Sequence, residues 1–191
     1  MAEENAIRND ELLEAVKDMR DAYKRMHDAG SDDRTEVNAA NSKVINLTLH
    51  STFLVPAIIS KNTQLVQDKE NHLKFEEKPQ ARFMLVKHPQ NGTFIPVFTH
   101  KEEYEGVKNT TKDGEDYKLV SMKFADIATL TEQTPSVNGF VINPMSTNLP
   151  YTKDMLQSIK QTLIEARNKK LQEEGAAGAA PNITLSGKGG N

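Results

Sequence analysis

The chain has 191 residues, 37% of them hydrophobic and 27% charged, with 24 basic against 27 acidic side chains for a net charge of −3. That profile fits one folded domain with extensions rather than a disordered chain, since domains run to roughly 100–200 residues. The charge balance provides no basic surface for nucleic acid or anionic lipid, and the absence of cysteine excludes disulfides, thiolate catalysis, cysteine-ligated zinc and iron–sulfur clusters.

The first residues, MAEENAIRNDELLEAV, are acidic and polar, without the basic start and apolar core of a secretory signal. No stretch reaches the ~20 apolar residues of a membrane helix, so a cytoplasmic location is expected. Asn9 or Asp10 caps a first helix that ends before Gly30. Leu12, Val16, Met19, Tyr23 and Met26 place one apolar stripe on it, at a spacing that also suits a homodimer contact. A second helix follows Ser31-Asp32-Asp33 and carries Val37, Ala40, Val44 and Leu47 on one face.

STFLVPAII (Ser51 to Ile59) then departs from helical spacing and reads as a strand, an edge or bulged at Pro56 because proline cannot donate to a ladder. LKFEE alternates as a strand that Pro79 ends. RFMLVKH and TFIPVFT form a hairpin around Asn91-Gly92, and Pro96 again marks an edge or bulge. HKEEYEGVK is a short helix capped by Thr99, and NTTKDGED is a polar loop. YKLVSMKF alternates as a strand, FADIATLTEQ fits a short helix, and the apolar run VNGFVI suits a buried central strand. Thr152, or Tyr151 before it, opens a long last helix with Met155, Leu156, Ile159 and Leu163 on its face.

The expected fold is therefore mixed α/β. It has a single mixed sheet of five to six strands, two N-terminal helices, a long C-terminal helix, and parallel pairing in the second half where helices and strands alternate. The expected organisation is an N-terminal helix at 1–30, an α/β domain at 31–173 and a flexible tail at 174–191.

The residues provide no catalytic constellation. His27, His50, His72, His88 and His100 contain no pair three or four apart, so no helical zinc pair forms and no metal site is expected. Ser121 and Ser158 lie inside predicted elements with no nucleophile elbow. Gly187-Lys188-Gly189-Gly190 lacks the strand and helix that flank a phosphate loop, so no cofactor is expected. Lys160, Arg167, Lys169 and Lys170 suit the C-terminal end of a helix dipole, and the net negative charge opposes a nucleic-acid patch.

The stretch VNGFVINPMSTNLPYTKDML carries the one candidate site. Pro144 ends the strand at Asn143, and Asn143 and Asn148 suit a tight loop. The same loop, placed after a central strand and before a helix N-terminus, is where open α/β sheets bind ligands. It would offer Asn143, Ser146, Thr147, Asn148 and Tyr151 as neutral hydrogen-bonders, a set suited to a polar ligand or a peptide backbone rather than acid–base chemistry.

STFLVPA, GTFIPVFTHKEEY and MKFADIATL followed by VNGFVINPMSTNLPYTKDML, in that order, resemble the SseB N-terminal domain family, the enhanced serine sensitivity proteins, over about residues 35–163. The positions that carry the pattern are Val55, Pro56, Pro96, Val97, Phe98, Asn143, Pro144 and Asn148, most of them structural in kind. The resemblance implies a mixed α/β domain of bacterial cytoplasm and a link to serine tolerance. It implies no reaction and no catalytic residues. The expectation is a non-enzymatic binding or adaptor domain for a protein partner or a small polar metabolite, without nucleic acid or membrane. The alternative is an enzyme or amino-acid sensor with its site in the loop after Ile142.

Overall fold

The computed structural model describes residues 7–67, 73–88, 90–108 and 116–177. The chain divides into two units, Met1–Lys153 and Asp154–Asn191.

The first unit opens with α1 (Asp10–Asp28) and α2 (Thr35–His50), which pack on each other. The buried line of α1 runs through Leu12, Ala15, Val16 and Ala22, whereas Tyr23 is 43% exposed. The expected stripe thus shifts around the helix, because two alanines face inward and allow close approach. Gly30 ends α1 at φ +56°, its N–H donating to His27 O while Ser31 N–H reaches Met26 O. Asn9 does not cap the helix with its side chain. Its Nδ2 donates instead to the carbonyls of Thr52 (2.9 Å) and Thr99 (3.4 Å). At the start of α2, Asp33 Oδ1 accepts from the Thr35 hydroxyl (2.6 Å) and N–H (2.9 Å), and these bonds, the hydroxyl's first, hold its pKa below the ordinary aspartate value.

Seven strands follow among the described residues. They are β1 (Thr52–Gln67), β2 (Leu73–Phe83), β3 (Val86–His88), β4 (Gly92–Val97), β5 (Lys118–Lys123), β6 (Gly139–Ile142) and β7 (Leu149–Thr152), with α3 (Lys101–Lys108) after β4 and α4 (Phe124–Gln133) after β5. The α/β class is as expected, but the strands form two sheets rather than one. Their orders are β2-β1-β5 and β3-β4-β6-β7. A single antiparallel bridge joins them, in which Leu54 and Phe98 exchange both backbone bonds at 2.9 Å.

The prolines explain the break. From the bridge, antiparallel register brings the next position on this edge, Pro56, opposite Pro96, and neither has an N–H to continue the ladder. β1 is central in its sheet, not an edge. At Pro56 its partner on that side changes from Phe98 to β2, and Pro56 O accepts from Met84 N–H (3.0 Å). β4 likewise pairs with β3 only up to Phe94, so Pro96 stands on an open stretch of its edge, as expected. Pro79 does not end β2; it stays in register opposite Lys61, tolerated because β2 is an outer strand. RFMLVKH is split, with Arg82 and Phe83 in β2 and Val86–His88 in β3.

The hairpin around Asn91-Gly92 forms as read, with Gly92 at φ +89°. The polar loop expected after α3 lies, over 109–115, outside the described residues. β4 and β6 pair in parallel through the α3-β5-α4 crossover. After β6 the sequence reading missed an element: β7 pairs antiparallel with β6 from Ile142↔Leu149 to Gly139↔Thr152. Pro150 inside a four-residue run masked its strand character; it is tolerated because β7 is an outer strand.

Strand alternation sorts the four-stranded sheet into two faces. Ile95, Val97, Phe140, Ile142 and Tyr151 share one, and all are buried. There Tyr151 stacks on Phe140 (centroids 5.1 Å apart), and both meet Phe124 of α4 edge-on. On the other face Leu54, Met84, Phe98, Tyr104 and Val107 form a core cluster beneath α3.

The second unit contains α5 (Lys153–Ala177) from Asp154 onward, with Leu163, Ile164 and Leu171 about half exposed. The expected tail lies, from residue 178, outside the described residues.

Gly139 sets the approach of β7. A Cβ built on it would meet Tyr151 O at 2.1 Å and Thr152 Cα at 2.9 Å, both backbone atoms that cannot swing away. Gly139→Ala is expected to destabilise the domain by ~1–3 kcal/mol or more, read as a lower urea midpoint. An unchanged midpoint would show that β7 can retreat freely.

Candidate functional site

The loop after β6 is organised by Asn143. It stands at φ 45°, and Asn148, five residues on, at φ 42°. These are the two described non-glycine residues with positive φ, a conformation that asparagine tolerates better than most. Asn143 N–H donates to Val97 O, which prolongs the parallel β4–β6 ladder by one bond. Its carbonyl accepts from Ser146 N–H (3.1 Å) and Asn148 N–H (2.8 Å), closing the turn. Its fully buried side chain spans to the end of β4: Oδ1 accepts from Thr99 N–H (3.0 Å) and Nδ2 donates to Thr99 Oγ1 (2.8 Å). The Thr99 hydroxyl is also hydrogen-bonded to His100 Nδ1 at 2.8 Å. All of Asn143's polar groups are thus engaged in holding the loop.

The other expected site residues are dispersed. Ser146 Oγ donates to the Glu103 carboxylate of α3 at 2.7–2.8 Å. Thr147 contributes its carbonyl, which accepts from Arg20 of α1. Tyr151 lies in β7 rather than at a helix start, and alternation turns it to the opposite, buried face. There its hydroxyl donates to Thr48 Oγ1 (2.9 Å), and Thr48 donates to Val44 O (2.8 Å). Burial raises the Tyr151 pKa above the ordinary tyrosine value, partly offset by the Thr48 bond. The loop leads into an antiparallel strand, not directly into a helix, so the strand-to-helix crevice expected here does not form.

Asn148 does reach a cavity. A cleft of about 500 Å³ opens on the face of the sheet that α3 leaves uncovered. Its floor is Val86, Phe94, Val141 and Pro150 from four adjacent strands, with Val107 of α3 at one side. Pro144, Met145 and Leu85 border it; Met145 is 65% exposed and Leu85 46%. Its polar lining residues are His88, Asn91, Asn148 and Lys87, the last with its side chain turned by strand alternation to the opposite face, and no carboxylate is among the described lining residues. His88 Nδ1 accepts the N–H groups of Gln90 (3.2 Å) and Asn91 (3.1 Å), so the neutral ring carries its proton on Nε2. The side-chain amides of Asn91 and Asn148 have no hydrogen-bond partner among the described residues.

Sequence reasoning missed this floor because its residues sit at ordinary positions on four separate strands. Face sharing between Val86, Phe94, Val141 and Pro150 exists only once strand order and register are known. The described residues contain no group of three or more His, Asp or Glu side chains able to hold a metal ion, and no helix long and apolar enough to cross a membrane.

Two substitutions separate scaffold from rim. Asn143→Gly relieves the positive φ but leaves the buried Thr99 N–H without its acceptor, at an expected cost of ~1–3 kcal/mol. Asn148→Gly, at an exposed rim position, is expected to stay within about 0.5 kcal/mol of the parent. Equal effects in urea denaturation would contradict the assignment. Tyr151 adds a pH signature. Its raised pKa means its contribution is intact below the unfolded value of ~10 and is lost as pH climbs beyond it. Tyr151→Phe is expected to cost about 1 kcal/mol at neutral pH and to flatten the alkaline fall in stability, checked by denaturation from neutral to strongly alkaline pH.

A family model for the SseB protein N-terminal domain matches residues 31–158, more than half of the chain and close to the span over which the sequence resembles that family. No curated protein and no solved structure matches the chain. The chain belongs to the SseB N-terminal domain family.

Proposed function

We propose that this chain is a non-enzymatic binding domain of bacterial cytoplasm, an adaptor that takes part of a protein partner into the cleft beside Asn148. The observation that carries this is the pairing of an apolar floor with unengaged neutral amides, Asn91 and Asn148, at its margin. An apolar side chain of a partner fits such a floor, and carboxamides suit the peptide groups on either side of it. The one imidazole among the described lining residues, His88, has Nδ1 occupied by the N–H groups of Gln90 and Asn91 and no carboxylate in the lining to pair with, which argues against a paired acid–base site. Met145 supports the reading too, since an exposed, flexible thioether at a rim adapts to varied apolar anchors. The serine-tolerance phenotype from which the family takes its name would then follow from the partner engaged, not from serine itself. Free serine is small and polar and would leave most of an apolar cleft of this size unfilled.

A second reading, a small-metabolite sensor in the same cleft, is favoured by its volume, which lies within the range of ~300–1,000 Å³ typical of small-molecule sites. Methyl NMR distinguishes the two, with Met145 and Val141 as reporters. Short peptides carrying a leucine or phenylalanine anchor are expected to shift both signals, and Met145→Lys, at an exposed position, to weaken their binding about tenfold or more. A response to amino acids, nucleotides or central metabolites but not to peptides would favour the sensor. Signals unmoved by either set would remove the cleft as a site.

A further inference from the structure

The outer edge of β3 lies beside this cleft. β3 pairs only with β4 among the described residues, through Val86↔Phe94, Lys87↔Thr93 and His88↔Gly92. The orientation of its peptide groups follows from β4. Thr93 O and Val97 O accept from Asn138 and Asn143, so the odd-numbered positions of β4 face β6. Phe94 and Gly92 therefore face β3, and Val86 and His88 take their bonds. Lys87, between them, directs its N–H and C=O to the open side, where no described residue pairs with them. The peptide groups of Leu85 also have no partner among the described residues, and both residues are exposed at the lip of the cleft.

We propose, resting on the reading of the cleft as a binding site, that the β3 edge accepts an extended segment of a partner protein as an added strand, with an acidic residue opposite Lys87 between two apolar residues. The pattern follows from alternation. Residues opposite Val86 and His88 share the cleft face and are apolar, whereas the residue opposite Lys87 shares its exposed face and meets an unopposed ammonium. Charge also selects against a second copy of this chain. Antiparallel self-pairing centred on β3 would set Lys87 against Lys87, a repulsive cross-strand pair of the kind that protects sheet edges. A partner strand with an acid at that position reverses the sign. The mode is strand addition, with affinity from main-chain bonds and specificity from alternate side chains.

The test uses the whole chain and labelled peptides built on Gly-Ser-Leu-Glu-Leu-Ser-Gly, with anisotropy for affinity and amide exchange at Lys87 as the structural readout. The Leu-Glu-Leu peptide is expected to bind, to slow exchange of the Lys87 N–H, and to bind about two- to fivefold more tightly than its Leu-Lys-Leu counterpart. Lys87→Glu, an exposed change, should reverse that preference. N-methylation of the peptide's central residue should abolish binding. Equal binding of methylated and parent peptides, with Met145 and Val141 still shifted, would overturn strand addition while leaving the cleft as a site. Absence of any shift at millimolar peptide would overturn both, and an unaltered preference in Lys87→Glu would overturn the charge assignment.

Discussion

The architecture of the first unit depends on one bridge. Leu54 and Phe98 exchange both backbone bonds and tie β1 to β4, and both side chains are fully buried in the cluster beneath α3. The next position along this register sets Pro56 against Pro96, where no donor exists on either strand. The strands must part there. Met84 N–H takes up the carbonyl of Pro56, and the chain crosses from β2 to β3 at that point. Two sheets result from what would otherwise be one, and the edge of β3 with its adjoining cleft lies just beyond the place where they separate.

A second tie fixes the other border of the cleft. Asn143, itself fully buried, closes its own loop through its carbonyl and anchors it to the buried Thr99 through its amide. The cost of a positive φ is offset by five hydrogen bonds to buried or turn groups. Glu103 and Arg20 secure the same loop from outside through Ser146 and the Thr147 carbonyl. Pro144, Met145 and Asn148 are consequently presented at a defined height above Phe94 and Val141. The rim position of the loop is a consequence of how firmly it is tied.

The two faces of the four-stranded sheet divide the work. One is closed by aromatic packing of Phe124, Phe140 and Tyr151, with the only polar group of that trio satisfied by Thr48. The other is closed by α3 as far as Val107 and open beyond it. An apolar floor left uncovered next to peptide groups that have no partner among the described residues is the feature that the proposed partner strand accounts for.

The sequence by itself determined the helices, the Asn91-Gly92 hairpin, the buried character of β6 and the family pattern. Each rests on local physics: the 3.6-residue period, the positive φ that Gly92 supplies, and a continuous apolar run. It also singled out Asn143 and Asn148, because asparagine beside proline in a turn marks a constrained backbone. Only the tertiary structure decided how the strands divide into two sheets, since that depends on two prolines about forty residues apart meeting across one register. The same holds for Tyr151, whose face was set by the pairing of β7 with β6, and for Asn143, whose side chain is spent on Thr99 at the end of another strand. Local sequence specifies what a segment becomes; register between distant segments specifies which of its side chains face one another, and the cleft is made of such pairs.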